Sequence, residues 1–352
     1  MNLEDRIKKI VQSNELELIE IRRHLHSQPE LSFQESESMA FIASVLKKYG
    51  IKHKSGIGGY GIVGLIEGKG NRCVALRADM DALPLQEQTH TPYASKVDGV
   101  MHACGHDVHT TCLLGAALAL KDIESELKGQ VKLIFQPAEE KIPGGALEMI
   151  KAGVLEEDPK PSAIFGLHVH PPLEVGKLGM RNGFFMASAD EIRIHIKGKG
   201  GHAAAPQEFI DPVAIAAQII VNAQQLVSRM ANPAIPTVLS FGKVDTGQGS
   251  YNVIPAEVHI IGTLRTMDES WRHQCWKHIQ KICEQTADSL GGSALVEIIE
   301  GYPAVINDNE LTDYLFDRGI TLFGEDAMER INFRMSGEDF ARYLQYIPGV
   351  FF

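Results

Sequence analysis

The chain has 352 residues, 44% of them hydrophobic and 22% charged, with 45 acidic against 34 basic side chains and a formal net charge of -11. That length predicts two domains with a sizeable core, and the acidic balance argues against a nucleic-acid or anionic-membrane partner. No apolar run reaches the roughly 18 residues a membrane-spanning helix needs.

The opening Met1-Asn2-Leu3-Glu4-Asp5-Arg6 begins a charged amphipathic helix and lacks the apolar segment of a secretory leader, which predicts a cytoplasmic protein. The five cysteines, Cys73, Cys104, Cys112, Cys275 and Cys283, are odd in number and irregularly spaced, as expected for thiols in a reducing compartment. Only Cys104 lies among histidines.

Helix-period apolar positions predict helices over about residues 3–27 and 35–49. Short apolar runs at 62–66, 74–78, 131–135 and 163–167 then alternate with helical patterns at 110–127 and 145–152. This is the pattern of an α/β domain with a mostly parallel sheet. From Glu191 the period changes to 2. Strands at 191–197, 237–244, 257–266 and 294–301, with helices at 211–230 and 269–290, give the order β-α-β-β-α-β of an inserted ferredoxin-like α+β module. The tail carries helical patterns at 309–323 and 337–344 and would rejoin the first domain. The expected division is therefore 1–186 with 302–352 for the first domain and 187–301 for the insertion. The apolar run at 346–352 starts without finishing, so the natural chain is expected to continue past Phe352.

Polar clusters follow the predicted strands, where the ligand crevice of an open α/β sheet lies. Asp79 and Asp81 follow one run, Glu139 and Glu140 a second, His168 a third, and Cys104 with His106 lie in a loop before a helix. A thiolate and imidazoles suit zinc or its first-row neighbours. Cys104 and His106 flank a glycine and can both point inward. Of the adjacent Glu139 and Glu140, one can bind a cation while the other faces water; Glu139 is the expected general base. His168 is a further ligand candidate with His170 as its competitor, and Asp81 would orient a ligand by hydrogen bonding.

These segments resemble the amidohydrolase branch of the M20 metallopeptidase family. The matching motifs are Arg22-Arg23-His24-Leu25-His26 with Pro29-Glu30-Leu31, Arg77 to Pro84, His102 to His109, Gln136 to Glu140, Gly200-Gly201-His202-Ala203 with Pro206, Asn252 to Pro255, and Ser336-Gly337-Glu338-Asp339-Phe340. The resemblance implies two divalent metal ions (zinc, manganese, nickel or cobalt) held by Cys104, His106, Glu140 and His168, with Glu139 as base. It also implies that the insertion is a lid and forms a homodimer. His202 would stabilise the oxyanion, in its own or a partner's site; Asn252 would orient the substrate, and Arg265 is a candidate for its carboxylate. The family's final metal-ligating histidine lies beyond the segment matched here. The expected reaction is hydrolysis of an N-acyl amino acid. The alternatives are a dipeptidase or carboxypeptidase using the same metals, and a noncatalytic binding relative.

Overall fold

The computed structural model describes residues 3–247 and 249–352. The chain divides into two compact units: one runs to Phe185 and adds Ile306–Phe333 and Asp339–Phe352, and the other comprises Met186–Val305 and Arg334–Glu338.

The first unit begins with helices α1 (Leu3–Ser13), α2 (Glu15–Ser27) and α3 (Ser36–Lys48). The single helix expected over 3–27 is broken at Asn14, whose Nδ2 donates to the Ile10 carbonyl at 2.7 Å and competes with the helical backbone. Strands β1 (Lys52–Ile57), β2 (Gly61–Ile66), β3 (Cys73–Asp79), β4 (Gln130–Gln136) and β5 (Pro161–Gly166) join a terminal strand, Gly349–Phe351, in one sheet. The order is β1-β2-β4-β3-β5-terminal strand. Its central and terminal pairings are parallel, whereas β1 and β2 run antiparallel to their neighbours. The edge strand β1 escapes pattern reading because its sequence is Lys-His-Lys-Ser-Gly-Ile and it is mostly exposed.

Helix α4 (His106–Asp122) starts four residues earlier than its apolar pattern suggests, so His106 is the first helical residue and not part of the preceding loop. The polar His106, Asp107 and His109 in its first turns hid that start. Helix α5 (Gly145–Lys151) follows β4. The core packs Ile21 and Leu25 of α2, Ile42 and Leu46 of α3, and Leu113, Leu114 and Ala117 of α4 against Ile62, Ile66, Leu133 and Phe135 of the sheet. Each such Leu or Ile contributes about 1.5–3 kcal/mol by leaving water. The helix expected over 337–344 shrinks to Ala341–Leu344. Asp339 is instead drawn into a buried ion-pair network, which fixes the backbone before it.

In the second unit, β6 (Ala189–Lys197), α6 (Pro212–Ala223), β7 (Thr237–Asp245), β8 (Glu257–Thr266), α7 (Glu269–Ser289) and β9 (Ser293–Tyr302) follow in β-α-β-β-α-β order. The sheet is antiparallel in the order β7-β8-β6-β9, the ferredoxin-like arrangement. Helix α6 starts at Pro212, with the Asp211 side chain accepting from the Val213 and Ala214 amides, and its α-helical geometry gives way to a π-helical turn at Leu226–Met230. Both helices pack on one sheet face, burying Ile192, Ile194, Ile196, Val258 and Ile260 against Ile215, Ile219, Cys275 and Ile279. The alternate residues of β6 and β8 face outward.

Candidate metal centre

The carboxyl ends of β3, β4 and β5 and the start of α4 carry the polar groups of the first unit. Gly105, at a φ of +87°, turns the chain into α4; a Cβ there would lie 2.5 Å from the Val169 side chain. The turn thus sets the Cys104 loop directly against the segment that holds His168. Beyond β4, Ala138 adopts a φ of +51°; its amide donates to Glu35 Oε1 at 2.7 Å and its carbonyl accepts from Gly145 at 2.8 Å. A Cβ on Gly145 would lie 1.8 Å from the Pro137 carbonyl oxygen, so only glycine permits this closure. It fixes the position from which Glu139 and Glu140 project.

Among the described residues, three sets of donor atoms that contain His106, each mutually within 4.8 Å, form in this region: Cys104, His106 and His168; His106, Glu139 and Glu140; and Asp79, His106 and His109. Of the two histidines that sequence left as alternatives, His168 belongs to one of these sets, and His170 belongs to none of the sets found among the described residues. Cys104 Sγ lies 3.3 Å from His168 Nε2, and His106 Nε2 lies 3.8 Å from Glu140 Oε1 and 3.8 Å from Asp79 Oδ2.

Hydrogen bonds assign the imidazole tautomers. His106 Nδ1 donates to Asp81 Oδ1 at 3.0 Å, and His168 Nδ1 donates to the Val169 carbonyl at 2.6 Å. His168 therefore presents an Nε2 lone pair to the cluster, and His106 aims its Nε2 there and would release the Nε2 proton to a bound cation. His109 is different: its Nδ1 donates to Asp79 Oδ1 at 2.6 Å while its Nε2 accepts from the Val169 amide at 2.9 Å. With both nitrogens engaged it positions the His168 segment. The other oxygen of Asp81 accepts from Ser32 Oγ at 2.6 Å and the Glu140 amide at 3.0 Å, so this carboxylate links two donors of the cluster.

The electrostatics follow from burial. Desolvation opposes ionisation of Asp79, but His106, Arg77 and His109 hold its carboxyl well below the ordinary range. Burial alone would lower the His106 imidazole, yet Asp79 and Asp81 raise it well above its usual value. Burial pushes the Cys104 thiol and the Glu140 carboxyl up, and burial followed by repulsion from His109 lowers His168 to about 4. His168 is thus neutral, the form in which imidazole ligates.

The donor chemistry fits a divalent cation. His106 Nε2 and Glu140 Oε1 are buried without hydrogen-bond partners. Such atoms cost roughly 1–3 kcal/mol each unless something satisfies them. Ligands at about 2.0–2.3 Å from a shared tetrahedral ion stand roughly 3–4 Å from one another, the spacing seen here. A bound dication would also draw the Cys104 thiol to thiolate and keep Glu140 ionised.

Beneath these donors, Arg77 joins β3 to the tail. Its Nη1 donates to Asp79 Oδ2 at 2.7 Å, its Nη2 to Asp339 Oδ1 at 2.7 Å and its Nε to Gln136 Oε1 at 2.8 Å, all in full burial. Glu139 is buried, and its Oε1 accepts from the Asp339 amide at 3.4 Å. The terminal strand also braces the site, since the His168 amide donates to the Phe352 carbonyl at 2.8 Å. His109, Gln136 and Asp339 lie inside motifs quoted from sequence, but nothing local separates a positioning role from a ligating one.

The remaining expected residues belong to the second unit. His202, on the short strand Gly201–His202, pairs with Val253, and the next amide, Ala203, donates to the Asn252 carbonyl at 3.1 Å. The fold thus brings His202 and Asn252 together. Arg265 lies on β8, with its Nε donating to Thr263 Oγ1 at 3.1 Å.

Residues 75–352 match the profile of peptidase family M20/M25/M40. The N-acetyl-L-cysteine deacetylase of Bacillus subtilis (strain 168) is 42% identical over 345 residues, covering 96% of this chain and 80% of that protein. Thermostable carboxypeptidase 1 of Saccharolobus solfataricus is 37% identical over 356 residues, covering 100% of this chain and 89% of its own. Among solved structures, the Bacillus subtilis YXEP protein, described as a dinuclear metal binding peptidase from the M20 family, superposes with a TM-score of 0.81 at 39% identity, covering 97% of this chain and 88% of its own.

Proposed function

From the premise that this chain belongs to peptidase family M20/M25/M40 and is a metal-dependent hydrolase of amide bonds, we propose that it cleaves the amide of N-acyl amino acids. The observation that carries the reading is the convergence of Cys104, His106, Glu140 and His168, with Glu139 beside them. Those four residues would hold two divalent ions, which would supply Lewis-acid polarisation of the amide carbonyl and a lowered pKa for water.

The chain's own residues do the rest. Glu139, anchored by the Asp339 amide, accepts the proton of the attacking water and returns it to the leaving nitrogen. Asp81 fixes the His106 tautomer and the Glu140 backbone together, so both donors keep their aim. His202 stabilises the developing oxyanion, Asn252 orients the substrate and Arg265 takes its carboxylate; these roles rest on the family likeness. The second unit serves as lid and as the surface of a homodimer, which light scattering on the purified protein would test.

The decisive experiment measures free amine released from a panel of N-acetyl and N-benzoyl amino acids with zinc, manganese, nickel or cobalt supplied. Release that stops with a chelator and falls about 10²–10⁴-fold in Glu139→Gln supports the reading. Full activity in chelator would reject it. A carboxypeptidase reading has its own support in the Saccharolobus relative, so dipeptides and N-blocked peptides belong in the same panel. Preference for those substrates would move the assignment.

A further inference from the structure

The second unit holds a separate set of metal-ligating side chains that the proposed hydrolysis does not use. His195 on β6 and His259 on β8 stand directly opposite each other in antiparallel register, with ring centroids 4.3 Å apart. Glu257, two residues before His259 and therefore on the same face, lies with Oε2 2.8 Å from His195 Nε2 and Oε1 3.9 Å from His259 Nε2. The ligand atoms of all three residues fall within 4.8 Å of one another. The side chains are 28%, 53% and 55% exposed for His195, His259 and Glu257, so a solvated ion has access.

We propose that His195, His259 and Glu257 form a second site, on the open face of the ferredoxin-like sheet, for a borderline divalent transition-metal ion such as zinc. Two imidazoles and one carboxylate are the donor types such ions select, whereas magnesium and calcium favour all-oxygen shells. The backbone beneath is well fixed, because the alternate residues Ile194, Ile196, Val258 and Ile260 are buried in the core of the unit. Donors on adjacent strands of a packed sheet hold their spacing better than donors on loops. Asp245 of β7 pairs in register with His259 and adds a carboxylate to the same end of the face. The two rings stack at 16°, and sharing one ion requires them to splay. His259, at 53% exposure, is the ring with room to turn, while His195 is held by Glu257. Water would complete the shell, leaving an open position.

A plain His195–Glu257 surface pair would account for one imidazole and contribute at most about 1 kcal/mol. It gives no role to the second ring at the same carboxylate. The ion-site reading uses all three.

The test uses the full chain and zinc as the probe. Bound zinc is counted by mass spectrometry after equilibrium dialysis, for the parent, His195→Gln and His259→Gln, and modification of individual histidines by diethylpyrocarbonate is followed with and without zinc. The proposal expects each variant to bind one equivalent less than the parent, or to bind it about 10-fold or more weakly, with zinc protecting both His195 and His259 in the parent. Hydrolase activity and the zinc equivalents that a Cys104→Ser change removes stay as in the parent, so failure here is distinguishable from failure of the catalytic reading. Equal stoichiometry and affinity in all three proteins, a loss in only one variant, or absence of zinc protection at either ring would overturn it.

Discussion

Two groups of histidines, one in each unit, show what burial adds to a donor cluster. His106, His109 and His168 each have a second partner at Nδ1, namely Asp81, Asp79 and the Val169 carbonyl. Each Nδ1 proton therefore has its acceptor before any ion arrives. His195 and His259 have comparable spacing, but the exposed Glu257 accepts from His195 Nε2 at 2.8 Å and stands 3.9 Å from His259 Nε2, so the one carboxylate orients only one of the two rings. The buried set is preorganised and electrostatically costly; the surface set is adaptable and nearly free of strain. Substitutions sharpen that contrast.

The largest effect belongs to the charge network under the buried donors. Arg77→Met would leave Asp79 and Asp339 buried without their guanidinium and should cost about 3–5 kcal/mol, read from urea unfolding of the metal-free protein. A loss below about 1 kcal/mol would mean that the network tolerates the change and that burial matters less than argued.

A pH experiment follows. Glu35 is fully buried, and desolvation, aided by Asp81, pushes its carboxyl up from 4.5 to about 7. The folded state then holds a proton that the unfolded chain releases, so Glu35 lowers stability as pH rises between about 4.5 and 7. The full swing is about 3 kcal/mol. Glu35→Gln should flatten the stability profile of the metal-free protein in that window, and an unchanged slope would count against the assignment.

Asp81→Asn comes next. It removes the carboxylate that orients His106 and the Glu140 backbone, so metal affinity of the first unit should fall about 10–100-fold in a competition titration, with the fold retained. The smallest effect is expected on the surface. His259→Gln should change unfolding free energy by less than about 0.5 kcal/mol, since its side chain is 53% exposed. A larger loss would show that the open sheet face bears on stability and not only on ligands.

How much of this was legible beforehand follows from what each signal depends on. Strands β3, β4 and β5 announce themselves because they are short apolar runs, while β1 hides behind Lys52, His53 and Lys54 at the sheet edge. The start of α4 was blurred for a related reason: its first turns carry His106, Asp107 and His109, which serve the site and break the apolar period. In the tail, Gly337 to Leu344 reads as helix by local preference, yet Asp339 is recruited by Arg77 and Gln136 from distant strands. Tertiary demand overrides propensity there.

By itself the amino-acid order determined the α/β alternation, the ferredoxin-like insertion, and a dense set of thiol, imidazole and carboxylate groups at strand ends, because periodicity and residue chemistry are local properties. Only the folded chain set His168 Nε2 3.3 Å from Cys104 Sγ, engaged both nitrogens of His109, and placed His195 and His259 opposite one another across a sheet. Those outcomes depend on strand register and on hydrogen bonds between segments far apart in sequence, which no local pattern encodes.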